Sequence, residues 1–67
     1  MSVKVRRTWH YGSQRTVSVH VGDTLHNALV AATQQDDMPN EHFLAALDSL
    51  HACTPYRDWS WCTFEVA

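Results

Sequence analysis

Apolar and polar residues alternate in two stretches near the start of the chain. In residues 3–9 and again in residues 15–21, most of the residues on one side of the alternation are apolar. The apolar sets are Val3, Val5 and Trp9 in the first stretch and Val17, Val19 and Val21 in the second. A period of two is typical of half-buried β-strands. Because Gly12 lies between the stretches and tolerates a positive φ, the pattern predicts a β-hairpin over residues 3–21.

Two helical stripes follow the hairpin. The recurring apolar residues are Leu25, Ala28, Leu29 and Ala32 in the first stripe and Phe43, Leu44, Leu47 and Leu50 in the second. The segment Gly22-Asp23-Thr24 offers a side-chain oxygen that can cap a helix start, and Asn40 offers another. Pro55 ends the second pattern, because the residue before a proline is pushed out of the α region. The sequence therefore predicts helices at about 24–35 and 40–52.

The last stretch, residues 59–66, alternates again and predicts a third strand, with Cys62 and Phe64 facing inward. The order ββααβ predicts an α+β fold in which a three-stranded sheet carries two helices on one face. We expect one small interaction domain over residues 1–67, with the third strand parallel to the first. The predicted core consists of Val5, Val17, Val19, Leu25, Leu29, Phe43, Leu44, Leu47, Leu50 and Phe64.

The hairpin and the run Val-x-Val-Gly-Asp-Thr-Leu that follows it, within residues 3–32, resemble a β-grasp domain. The resemblance implies a β-grasp-like layout of the sheet. The chain lacks the terminal Gly-Gly of the sulfur-carrier and ubiquitin-like members and the cysteine cluster of the iron–sulfur members. No function of that family is therefore implied for this chain.

Charge is divided along the chain. Four of the five Lys and Arg residues lie before residue 23, and all seven Asp and Glu residues lie from there on. Oppositely charged surfaces steer the encounter of a protein with its partners. The pattern favours a binding protein.

Candidate chemistry is sparse in this sequence. Of the five histidines and two cysteines, the closest pair is His51 and Cys53, and no second pair has the spacing of a structural zinc site. We therefore expect no metal, no cofactor and no enzymatic activity. The first residues lack the apolar stretch of a signal peptide, so we expect a cytoplasmic protein in which Cys53 and Cys62 are thiols, although a disulfide between them stays open.

The outer face of the predicted sheet is the first candidate site. If Val5, Val17 and Val19 point inward, basic and aromatic side chains of the strands point outward. The candidate partner-binding residues are Arg6, His10, His20, Trp59 and Trp61. Basic residues interleaved with aromatics suit protein interfaces and also single-stranded nucleic acids. The tryptophans could instead cover a sheet edge.

An acidic surface on the helices is the alternative site. Its residues are Asp36, Asp37, Glu41 and Asp48, which could imitate a phosphate backbone or form a solvated helix face. We expect a non-catalytic protein-binding module, in the form of a small phage or mobile-element inhibitor of a host nucleic-acid-handling complex, as anti-CRISPR proteins are. No motif is specific to that type. The alternatives are an accessory protein that binds single-stranded nucleic acid and a homodimer.

Overall fold

The protein combines two helices with one antiparallel sheet. The computed structural model describes residues 2–34 and 37–67, apart from the side chain of Asp58. The elements of these residues are β1 (Val3–Tyr11), β2 (Gln14–Gly22), α1 (Leu25–Ala32), α2 (Asn40–His51), β3 (Tyr56–Trp59) and β4 (Cys62–Val66). The four strands follow the order β2-β1-β4-β3, and α1 packs on β2 and β1 while α2 packs on β3 and β4. The predicted α+β class and the initial hairpin are confirmed.

The predicted third strand is confirmed only over residues 62–66, where Cys62 and Phe64 face inward as expected, because residues 59–61 do not continue it. Ser60 and Trp61 have φ angles of 49° and 62° and form a tight turn between β3 and β4. β4 pairs antiparallel with β1, so the expected parallel pairing of the first and last strands is wrong. The sheet has four strands in the described residues, and the basis for a β-grasp-like layout is lost.

The helices lie close to their predicted positions. Thr24 caps α1, since its hydroxyl oxygen accepts a hydrogen bond from the backbone nitrogen of Asn27 at 3.1 Å. In α2 the N-cap is Pro39 and not Asn40, because the extended backbone ends one residue earlier than expected. The Thr24 cap and tertiary packing hold α1 in place, whereas α2 has no side-chain cap at its start and relies on packing.

The core lies between the helices and one face of the sheet. Its buried apolar residues are Val5, Ala28, Leu29, Ala32, Ala46, Leu50, Tyr56, Cys62 and Phe64. The half-buried residues packed against it include Leu25, Phe43 and Leu47. The prediction was wrong for Val17, Val19 and Leu44, which are exposed. In α2 the buried stripe runs through residues 43, 46, 47 and 50, which leaves Leu44 outside.

Gly22 brings the start of α1 close to the end of β2. A Cβ atom at this position would collide with the backbone nitrogen of Ala28. The absence of a side chain at Gly22 therefore lets α1 pack directly on β2 and cover one face of the hairpin.

Candidate functional site

The helices cover one face of the sheet and leave the other face bare. Val5 and Phe64 are buried under the helices, and successive residues of a strand point to opposite faces. The open face therefore consists of Lys4, Arg6, Thr8 and His10 from β1, Arg15, Val17, Val19 and Val21 from β2, Arg57 from β3, and Thr63 and Glu65 from β4.

A row of three valines lies along the outer side of the open face. Val17, Val19 and Val21 are 51%, 49% and 55% exposed. In the strand register Val19 lies opposite Arg6 and Val21 lies opposite Lys4. An apolar row on β2 therefore runs beside a basic row on β1. Water solvates the valines poorly and the basic side chains well.

Charge is separated between the two layers of the molecule. The open face holds four of the five Lys and Arg residues, and within the described residues its only acid is Glu65. Glu65 accepts a hydrogen bond from the Arg6 guanidinium at 3.1 Å, so its charge is already balanced. The other acids with described side chains are exposed and lie on α2 or in the segments that lead into the helices: Asp23, Asp37, Glu41 and Asp48. The division of charge along the chain thus becomes a basic sheet and an acidic helical layer.

One end of the open face forms a cleft of about 540 Å³. Its walls include His10, Arg15, Arg57 and Trp61, and the buried Thr8 lies among its lining residues. The indole of Trp61 is 75% exposed because the turn between β3 and β4 holds it away from the core. The cleft combines cationic groups with a large apolar ring, and the carboxylate in its lining, Glu65, is paired with Arg6. This composition suits a negatively charged group on an apolar stem.

The structure places the five predicted partner-binding residues on different surfaces. Arg6 and His10 lie on the open face, and Trp61 lines its cleft. The placement of His20 on that face was wrong, because it lies opposite Val5 on the covered side, where its Nε2 is 2.9 Å from the Ser18 hydroxyl oxygen. The placement of Trp59 was also wrong, because it lies opposite the buried Cys62 and packs against the core.

Sequence reasoning missed the valine row, Arg15 and Arg57 as members of the open face. The signal was present in the hairpin. A loop with an even number of residues pairs odd-numbered with even-numbered positions, as Val5 with His20. Val5 and the three odd-numbered valines of β2 therefore cannot share a face.

The alternative acidic site is only partly described. Asp37, Glu41 and Asp48 are exposed, and Glu41 and Asp48 both lie on α2. Asp36 lies outside the described residues. The described part of this site is a solvated acidic surface on the side of the molecule that carries the helices.

The cysteines and histidines do not gather at one place. Cys53 is exposed, whereas Cys62 is buried under the helices. His51 is the exposed last residue of α2. No group of three or more potential metal-ligating side chains occurs among the residues that the structure describes.

Comparison of the chain with protein-family models, with curated proteins and with solved structures gave no match. Within residues 2–34 and 37–67, neither helix is long and apolar enough to span a bilayer.

Proposed function

We propose that this chain is a non-catalytic binding module of the cytoplasm whose open face docks on an acidic surface of a partner protein. The observation that carries the proposal is the exposed row of Val17, Val19 and Val21 beside the basic side chains of the open face. An apolar stripe supplies binding energy when it is covered, and the flanking cations select a partner of opposite charge.

The side chains on the open face favour protein over nucleic acid as the partner. Platforms that bind single strands stack bases on aromatic rings. Trp61 is the aromatic side chain that lines the cleft, whereas Tyr56, Trp59 and Phe64 belong to the core or pack against it. Valines pack well against the aliphatic and aromatic groups of another protein but offer a base no ring to stack on.

An accessory protein for single-stranded nucleic acid is the second candidate. What supports it is the basic row of Lys4, Arg6 and His10, which leads along β1 towards the cleft that Trp61 lines. Phosphate contacts of this kind give affinity that falls steeply with salt.

For the partner we propose a component of a host nucleic-acid-handling complex, which the bound chain blocks in the manner of an anti-CRISPR-type phage inhibitor. Support for this form comes from the separated charges. A small domain with one basic face can cover an acidic site on a larger protein and inhibit it without any catalytic step.

The test compares proteins retained from host lysate by three tagged copies: wild type, Arg15→Gln and Asn40→Asp. The two substitutions lower the net charge equally, but Arg15 lies on the open face and Asn40 lies at the exposed start of α2. We expect Arg15→Gln to weaken retention of a protein partner roughly tenfold. Asn40→Asp should retain it as the wild type does, and circular dichroism should show the same fold in all three.

Two results contradict the proposal. Stronger retention of the partner by Asn40→Asp, with no change for Arg15→Gln, makes the acidic helical surface the binding site, because an added carboxylate there favours a basic partner. Mimicry of nucleic acid then becomes the better mechanism. Retention of RNA or DNA that nuclease abolishes, with no protein retained, supports the second candidate.

A further inference from the structure

The two edges of the sheet are built differently. β3, at one edge, has four residues, follows Pro55 and has an irregular register between Tyr56 and Trp59. A short, irregular strand next to a proline is how natural proteins prevent an edge from pairing with another chain. β2, at the other edge, has nine residues, contains no proline and keeps a regular register with β1 along its whole length. Only the edge formed by β3 carries these protective features.

The unpaired backbone groups of β2 can be assigned from its hairpin. Tyr11 and Gln14 flank a two-residue turn and form its closing pair, and hydrogen-bonded pairs then recur at every second residue. The even-numbered residues of β2 therefore bond to β1. The hydrogen bond from the His10 nitrogen to the Trp61 carbonyl oxygen, at 2.9 Å, fits this alternation, because it shows the even-numbered residues of β1 turned towards β4.

The odd-numbered residues of β2 turn their N–H and C=O groups away from the sheet. These residues are Arg15, Val17, Val19 and Val21. In the part of the chain that the structure describes, β2 has no strand on its outer side. These groups form a straight row of donors and acceptors, which is a template for one more antiparallel strand.

β2 is close to self-complementary about Ser18. In an antiparallel pair centred on this residue, Val17 of one copy lies opposite Val19 of the other, and Arg15 lies opposite Val21. The two Arg15 side chains then stand about 20 Å apart along the strands, at about 3.4 Å per residue, so they do not oppose each other. A two-fold interface needs a surface that is complementary to itself, and β2 has this property.

We propose that β2 pairs with β2 of a second copy of this chain to form a homodimer with a continuous eight-stranded sheet. The added strand would satisfy the outward backbone groups and join the two valine rows into one strip of six valines on the open side. This inference does not rest on the proposed function, because it concerns the hydrogen-bonding edge of β2 and not the partner that binds the open face.

The first test is the mass of the purified protein in sedimentation equilibrium over a range of concentrations. We expect a species of twice the 7.7 kDa chain mass at the upper concentrations. Val17→Pro should shift the equilibrium to the monomer, since proline removes an outward N–H and no bond to β1. Val17→Thr is the matched control, because it keeps the branched shape and the N–H and should still dimerise.

Hydrogen exchange of the wild-type protein provides a second test that needs no variant. The amides of Val17, Val19 and Val21 should exchange slowly at high protein concentration and fast after dilution. The amides of Thr16, Ser18 and His20 point to β1 and should stay protected at both concentrations, so they serve as an internal control.

The proposal is overturned by a mass that stays at 7.7 kDa at every concentration. A dimer that survives Val17→Pro, or one in which the Val17 and Val19 amides exchange fast, overturns it too, because the contact then lies elsewhere. The Arg15→Gln comparison measures retention of a partner, whereas these experiments measure the mass of the protein and the exchange rates of its amides. Failure of one proposal is therefore distinguishable from failure of the other.

Discussion

The Nδ1 atom of His42 lies 2.8 Å from the hydroxyl oxygen of Tyr56, and this hydrogen bond ties the first half of α2 to β3. The two rings also meet edge to face, with centroids 6.4 Å apart. Tyr56 is buried while His42 is only partly so. The contact fixes α2 on the edge strand β3.

Replacing Tyr56 with Phe should lower the free energy of unfolding by about 1 kcal/mol, the usual net value of such a hydrogen bond. Urea denaturation measures the change. Tyr11→Phe is the matched control, since Tyr11 is exposed at the end of β1, and it should change stability by less than about 0.5 kcal/mol. An equal effect of both substitutions would show that the His42 contact contributes nothing.

Two leucines of α2 should differ strongly in the stability lost when each is truncated to alanine. Leu50 is 2% exposed and Leu44 is 55% exposed. Leu50→Ala should cost about 2–5 kcal/mol, because it removes buried methyl groups and leaves a cavity. Leu44→Ala should cost no more than about 0.5 kcal/mol. If thermal or chemical unfolding gave the reverse order, α2 would be rotated about its axis relative to the structure.

The turn at Trp61 should become more stable when glycine replaces this residue. Trp61 holds a φ of 62°, a region that is unfavourable for residues with a Cβ atom and free for glycine. Trp61→Gly should therefore raise the free energy of unfolding by about 1 kcal/mol, and it should weaken binding of an acidic partner in the cleft.

Trp61→Asn separates the two effects, because asparagine tolerates a positive φ better than tryptophan and also lacks the ring. It should weaken binding as Trp61→Gly does. A loss of more than about 1 kcal/mol of stability in either variant would mean that the indole packs on the protein and is not held out for a partner.

Removing the acid of the open face should strengthen binding at little cost to the fold. Arg6 and Glu65 form a half-exposed ion pair between β1 and β4, so Glu65→Gln should cost at most about 1 kcal/mol. The freed Arg6 should raise affinity for an acidic partner, measured by calorimetry. Glu41→Gln makes the same change of charge on α2 and should leave affinity nearly unchanged. Equal gains from both would point to net charge and not to the open face.

The hairpin and the helices could be predicted because local signals and tertiary structure agree there. Alternation, the turn at Gly12 and a capping oxygen just before α1 each act within a few residues, and the structure confirms them, with Thr24 as the residue that caps α1. The sequence also determines which side chains of β2 face outward. The signal is the even number of residues in the hairpin loop and not the hydrophobicity of the strand. The three valines look like core residues, and only their pairing with β1 places them outside.

The β3–β4 hairpin could not be predicted from its own residues. Turns with two positive φ angles favour Asn-Gly, and here the turn residues are Ser60 and Trp61. Burial of Tyr56, Cys62 and Phe64 against the helices outweighs this local preference. The cleft depends on that turn, so the position of Trp61 and Arg57 in it could not be predicted either.

The basic sheet and the acidic helical layer make the molecule an electric dipole that points from the helices towards the open face. Near a negatively charged body such a dipole experiences a torque, which turns the sheet forward before any atoms touch. Screening limits this rotation to the last stretch of approach, about 8 Å at physiological ionic strength. Added salt should therefore slow association far more than it speeds dissociation. The charges orient the molecule during the diffusional encounter, whereas the valines buried in the complex set the rate at which it dissociates.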